Sequence, residues 1–137
     1  MRSKPIERIQ MNANQVAHYL VYNLNKANVE VDYKQLHVML MFAQCYHIRN
    51  NHNPLFAENF EDNGFLAVKS VLNSVSSEYD IRRLCRSVPN IDNDQFLNII
   101  VSVLSRDPHI FDDAYIDIME SGKYSNIDLM NSFSPMV

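Results

Sequence analysis

Apolar residues recur at helical spacing through most of the chain, and short polar segments separate these patterns. The strongest pattern runs from Tyr33 to about Arg49, and Asp32 and Gln35 at its start have the spacing of a capping box. Its apolar positions cover more than one face, and a helix that is apolar nearly all round belongs at the centre of a domain. We therefore expect this helix to form the core.

Shorter patterns on both sides of it predict further helices. Their approximate ranges are 12–26, 65–75, 78–88, 95–104, 108–121 and 125–133. The segment 78–88 also fits a short strand. Residues 99–101 are β-branched, but the capping-box spacing of Asp92 and Gln95 favours a helix there.

Local signals mark several of the predicted helix ends. Asn12 or Asn14 is expected to cap the first helix, and Ser125 the last. Asp107 followed by proline is typical of an N-cap and first helical position, and Gly122 is expected to end that helix.

The segment 50–64 is rich in asparagine and contains Pro54 and Gly64, which predicts a loop. Alternation with period two is nowhere sustained, so strands are not expected elsewhere. With 137 residues the chain suits one hydrophobic core. We predict a mainly α protein: a compact single-domain helical bundle around a central apolar helix, with 12–134 as the domain and 1–11 as an N-terminal extension.

The longest apolar run, the first residues and the number of cysteines indicate where in the cell the protein is expected. The longest apolar run, Val38 to Ala43, is far shorter than the ~18–20 residues that a membrane span requires. The first residues contain no apolar stretch of signal-peptide length, and Cys45 and Cys85 are too few for a disulfide framework. We therefore expect a cytoplasmic protein that does not enter a membrane.

Charge is distributed unevenly along the chain. The formal net charge is -4 and the sequence pI is about 5.6, which argues against a nonspecific nucleic-acid binder. Up to Arg106 the chain has 11 basic and 10 acidic residues, whereas from Asp107 onward it has one basic and six acidic residues. The acidity is therefore concentrated in the last quarter.

Candidates for catalysis or metal binding are few. Cys45 and His47, with His37 and His52 nearby, form the densest cluster of soft ligands. Residues two apart on a helix point about 200° away from each other, so Cys45 and His47 cannot grip one ion together. Cys45 also lies in the most apolar segment, where a thiol is unreactive. We predict no catalytic residue, no metal and no cofactor.

Four carboxylates near the C-terminus form a candidate partner-binding site. Asp113, Asp117 and Glu120 fall at i, i+4 and i+7 and share one helix face, while Asp112 lies about 100° away. One interpretation is an ordinary solvated face of an amphipathic helix. The other is an anionic patch that docks against a protein partner with a basic surface.

Arg82, Arg83 and Arg86 form the one local basic cluster. As a helix face they fit contacts to phosphates, which would make the protein a DNA-binding regulator. The sequence favours their pairing with Glu78, Asp80 or the acidic C-terminal segment instead.

Residues 14–75 resemble a known family. A helix NQVAHYLVYNL is followed by a break and by YKQLHVMLMFAQCYHIRNNHNPLFAENFEDNGF, a segment that is similar to the Panacea domain, also called the SocA-like or GepA-like domain. The matching positions are Leu36, Leu40, Phe42, Ala43, Gln44 and Tyr46 in the helix, and Pro54, Leu55, Phe56 and Glu58 in the loop. The family usually continues with an Ala-Trp pair and a Gly-Pro-Val turn, where this chain has EDNGF. The resemblance is therefore to a divergent member.

The resemblance implies a helical domain of the kind found in phage-associated proteins and antitoxins, which neutralises a partner protein by binding it. One known member type is an adaptor that delivers a toxin to a protease. The resemblance carries no catalytic residue to this chain, and the matched residues are expected to be scaffold. Gln44 is expected to hold the following loop by hydrogen bonds to its backbone. The leading hypothesis is thus a non-enzymatic neutraliser of a protein partner. A phage-encoded inhibitor of a host defence nuclease, of the anti-CRISPR type, is the alternative, and a homodimer is left open.

Overall fold

A computed structural model describes residues 11–134, which form seven helices and one two-stranded hairpin. The elements are α1 (Ala13–Lys26), α2 (Gln35–Asn51), β1 (Phe60–Asp62), β2 (Leu66–Val68), α3 (Lys69–Ser74), α4 (Glu78–Cys85), α5 (Gln95–Arg106), α6 (Asp112–Ser121) and α7 (Asn126–Phe133). The mainly α fold predicted from the sequence is confirmed. The predicted N-terminal extension lies, apart from Met11, outside the described residues.

Helix α2 occupies the centre of the molecule. Eleven of its seventeen residues are buried, and they point in all directions around the helix axis. It packs against α1, α5, α6, α7 and β2, whereas α1 packs against α2, α3, α4 and α5. These helices share one hydrophobic cluster, as the all-round apolar pattern of α2 predicts. Within the described part of the chain, no helix is both long and apolar enough to cross a membrane.

Several predicted helix ends are confirmed by their hydrogen bonds. Asn12 and Gln15 form a capping box at the start of α1, in which each side chain accepts from the other residue's amide. The Ser125 hydroxyl accepts from the Asp128 amide at the start of α7. Gly122 ends α6 in the left-handed conformation, with φ of 72°. Segment 78–88 contains a helix, not a strand.

The helix predicted for 65–75 is wrong in its first half. Residues 66–68 form strand β2, which pairs antiparallel with β1 so that Glu61 lies opposite Ala67. The turn between them is held by the Asp62 carboxylate, which accepts from the amide of Gly64. All three residues of β2 are buried. A strand that is buried on both faces has apolar residues at every position and therefore lacks the alternation by which a strand is normally recognised. Only the last part, α3, is helical.

The two capping boxes predicted by spacing alone are absent. Asp32 accepts from the Lys34 amide instead, and the Gln35 side chain reaches across to α6. Helix α5 is capped by Asp94, whose carboxylate accepts from the Leu97 amide, and not by Asp92. Asp92 and Asp94 both precede α5, so spacing alone does not decide which carboxylate accepts from the free amides of its first turn.

The start predicted for α6 at Asp107 is also wrong. The Asp107 carboxylate accepts from the amide of His109, and its carbonyl accepts from the amide of Ile110. A second turn follows, in which the His109 carbonyl accepts from the amide of Asp112. Regular helix begins at Asp112, after Phe111 has left helical geometry with ψ of 4°. The Asp-Pro pair therefore starts a turn that leads into the helix.

Candidate functional site

Gln44 is a fully buried polar side chain at the centre of α2. Its Oε1 accepts from the amides of Leu55 at 2.7 Å and Phe56 at 3.2 Å, and its Nε2 donates to the Phe56 carbonyl at 2.8 Å. These are the backbone hydrogen bonds to the following loop that the sequence predicts. One amide group thereby satisfies three backbone groups of a segment that is itself buried.

The same loop is tied to both ends of the chain's helical part. The Asn126 side chain, at the start of α7, donates to the Ala57 carbonyl at 2.9 Å and accepts from Gln44. Glu58 accepts from the Ala13 amide at 3.1 Å, which satisfies one of the free amides at the start of α1. Leu55, Phe56 and Glu58, which are matched to the Panacea domain, therefore hydrogen-bond the helices, and the half-buried Pro54 directly precedes the buried pair.

Phe42 and Tyr46 lie in a row of aromatic rings along one side of α2. The ring centroid of Phe42 lies 5.5 Å from that of Phe111 and 5.8 Å from that of Tyr46. The ring centroid of Tyr46 lies 5.9 Å from that of Phe96. These rings join α2 to α5 and to the segment before α6. Next to them is an apolar recess of about 160 Å³ that Arg49 also lines. Ala43, between Phe42 and Tyr46 in sequence, is fully buried.

The Cys and His residues near the middle of the chain are used separately. His47 donates through Nδ1 to the Asn53 carbonyl at 2.7 Å, and His52 lies 2.6 Å from the Ser134 hydroxyl. Burial raises the pKa of the Cys45 thiol. Within residues 11–134, no three or more His, Cys, Asp or Glu side chains are grouped so that they could hold a metal ion.

His37 is buried between α2 and the hairpin. Its Nδ1 accepts from the Val68 amide at 3.2 Å, and its Nε2 has no hydrogen-bond partner among the described residues. The ring lies edge-on to Phe65, with centroids 5.6 Å apart. Burial lowers the pKa of His37 to about 4, so the imidazole is neutral at pH 7. His37 therefore serves as an acceptor that fixes β2.

Helix α6 is anchored by the face opposite its carboxylates. The buried Tyr115 donates through its hydroxyl to the Leu66 carbonyl at 2.7 Å, which joins α6 to β2. Burial raises the pKa of Tyr115 to about 12, so the hydroxyl stays protonated and continues to donate. Asp112 is half-buried and accepts from Gln35 at 3.1 Å and from His109 at 2.9 Å. Asp112 therefore belongs to the anchoring side of α6, unlike the other three candidates.

Asp113, Asp117 and Glu120 lie together on the exposed side of α6, as their spacing predicts. None of the three makes a hydrogen bond or ion pair within the described part of the chain. Between them lies Ile116, which is 45% exposed. We call these four residues the acidic face. Sequence analysis did not find Ile116, because an isolated isoleucine in an amphipathic helix is normally part of the core.

The arginine cluster also lies on one exposed helix face. Tyr79, Arg82, Arg83 and Arg86 line a shallow recess of about 280 Å³ along α4, and we call them the basic face. Arg83 pairs with Asp80 at 3.3 Å, as predicted, but Arg82 and Arg86 make no ion pair within residues 11–134. Tyr79, which sequence analysis did not single out, is 66% exposed.

No family model, curated protein or solved structure significantly matches this chain. The resemblance to the Panacea domain and the function it implies therefore stay predictions from the sequence. The structure presents two exposed helix faces of opposite charge on one helical body.

Proposed function

We propose that the protein acts by binding another protein through the acidic face of α6, without making or breaking a covalent bond. The observation that carries this proposal is the exposed Ile116 surrounded by three carboxylates that have no partner within residues 11–134. Other large apolar residues are also exposed in the described part of the chain, and Ile116 is distinguished from them by the unpaired carboxylates around it.

This arrangement has the anatomy of a small protein interface. An apolar residue at the centre is desolvated on binding, and charged residues around it form a polar rim. Three carboxylates attract a basic surface, and charge of this kind steers association and selects the partner more than it adds affinity. We therefore expect a partner with lysine or arginine around an apolar contact.

The acidic face is held in place before any partner arrives. Tyr115 fixes α6 to the hairpin, and Asp112 fixes it to the start of α2 through Gln35. A preformed surface avoids the cost of ordering side chains and backbone on binding. This favours a platform that sequesters its partner over a segment that folds on contact.

The resemblance to the Panacea domain supports neutralisation as the purpose of this binding. Proteins that act on nucleic acids have basic working surfaces, which an anionic face can cover. The proposed partner is therefore a toxin or a host defence nuclease, and both fit the same surface. Gene neighbourhood separates these two partners.

The test compares two variants that change the charge equally. Asp113→Lys with Asp117→Lys alters the acidic face, whereas Glu61→Lys with Asp92→Lys alters exposed carboxylates elsewhere. Proteins captured from the native host by the wild type are identified by mass spectrometry, and their affinity for each purified variant is measured by calorimetry. We expect at least about tenfold weaker binding for the first variant and little change for the second.

Equal affinity of wild type and the Asp113→Lys, Asp117→Lys variant, with unchanged thermal unfolding, would reduce the acidic face to a solvated surface. The non-enzymatic part of the proposal has a separate test. Turnover of a substrate by the pure protein, abolished by one side-chain change, would contradict it.

A further inference from the structure

Two helices of this chain carry exposed faces with the same spacing and opposite charge. The acidic face occupies positions 113, 116, 117 and 120, and the basic face occupies positions 79, 82, 83 and 86. Both follow i, i+3, i+4 and i+7, so each forms a stripe about 10 Å long on one side of its helix. Each stripe combines three charged residues with one exposed apolar or aromatic residue.

The arginines of the basic face form few ion pairs in the described part of the chain. Arg82 also lines a cavity together with three carboxylate residues, Glu30, Asp32 and Glu78. Arg82 and Arg86 make no ion pair there, and Arg83 shares Asp80 with other donors. The Asp80 carboxylate accepts from the Ser76 amide and the Ser77 hydroxyl, which together with Arg83 lower its pKa. Asp80 therefore mainly stabilises the start of α4 through these hydrogen bonds, and only in part neutralises Arg83.

We infer that the basic face of one molecule docks against the acidic face of a second copy, so that self-association covers the surface proposed to bind the partner. Three arginines and Tyr79 then face three carboxylates and Ile116 over the same length of helix. Helix α4 packs against α1 and α6 packs against α2, so the two faces belong to different parts of the fold. The contact joins unlike surfaces and is heterologous.

A second copy fits the basic face better than a nucleic acid does. The chain itself contains a face of matching length and opposite charge that is confined to one helix, which is the kind of surface the short basic face can match. Exposed ion pairs each contribute little, so the association is weak and sensitive to salt. A partner with a larger contact area displaces the second copy. The masking of the binding surface rests on the proposed function, but self-association does not.

The experiment is sedimentation velocity on the pure, full-length protein over a concentration series, at low and high salt. Arg82→Glu with Arg86→Glu reverses the basic face, and Asp113→Lys with Asp117→Lys reverses charges of the acidic face. We expect each variant alone to self-associate at least about tenfold more weakly than the wild type. An equimolar mixture of the two variants should recover association, because the unchanged acidic face of one variant then meets the unchanged basic face of the other.

Lys69→Glu with Arg106→Glu is the matched control, since it changes the same charge at exposed positions outside the basic face. Circular dichroism checks the fold of every variant, and Arg82→Gln with Arg86→Gln replaces the reversal if that variant does not fold.

Three results would overturn the inference. A wild type that is monomeric at every concentration at low salt removes self-association, while partner binding through the acidic face is still measured separately. A mixture that does not recover association shows that the two faces do not meet. Retardation of duplex DNA by a monomeric wild type, lost in Arg82→Glu with Arg86→Glu, assigns the basic face to nucleic acid instead.

Discussion

Replacing Gln44 by leucine tests whether its amide holds the loop that follows α2. Leucine has a similar volume but no polar atom, so the amides of Leu55 and Phe56 lose their acceptor inside the core, where both residues are fully buried. Each orphaned buried group costs about 1–3 kcal/mol. The Phe56 carbonyl keeps a contact from the Asn126 side chain at 3.4 Å and adds little.

The expected loss of stability for Gln44→Leu is therefore about 2–6 kcal/mol, out of the ~5–15 kcal/mol typical of a whole domain. Urea unfolding measures it, and Met41→Leu is the control, because it changes a fully buried residue of the same helix at a cost below about 1.5 kcal/mol. Amide hydrogen exchange at residues 55 and 56 should accelerate before exchange elsewhere. A loss no larger than that of the control, with both amides still protected, would refute the role assigned to Gln44.

Two further predictions concern the hairpin. His37 has a pKa of about 4 in the folded protein and 6.5 when unfolded, so the unfolded state binds more protons between these pH values. The free energy of unfolding therefore decreases as the pH falls from 6.5 toward 4, by up to about 3 kcal/mol. His37→Asn keeps an acceptor for the Val68 amide without titrating there, so urea unfolding of this variant should depend less on pH, and an equal dependence would contradict the role of His37. Tyr115→Phe removes the hydrogen bond to the Leu66 carbonyl and should lower the free energy of unfolding by about 1 kcal/mol, whereas an unchanged value would show that α6 is held by packing alone.

Local signals were sufficient for most of the helices and for part of the site. The apolar pattern of α2 required burial on every side, whatever the rest of the chain did. Asn12 and Ser125 cap helices because their side chains reach amides three residues away. Asp113, Asp117 and Glu120 share a face because of helix geometry alone, so their common exposure on α6 followed from spacing.

Contacts between distant residues decided the rest. Strand β2 forms because residues 66–68 pair with residues 60–62. In addition, the ring of His37 in α2 accepts a hydrogen bond from the amide of Val68, the last residue of the strand. Nothing within 65–75 distinguishes that outcome from a helix.

The sequence by itself determined most of the helical segments, which helix is central and which charges share a face, since these depend on neighbours within a turn or two. The tertiary structure alone decided that Asp112 accepts from Gln35 of α2 while Ile116 stays exposed among the carboxylates. The physical reason is that burial and hydrogen-bond partners depend on how elements far apart in the chain pack together. The spacing of residues along one helix does not contain that information.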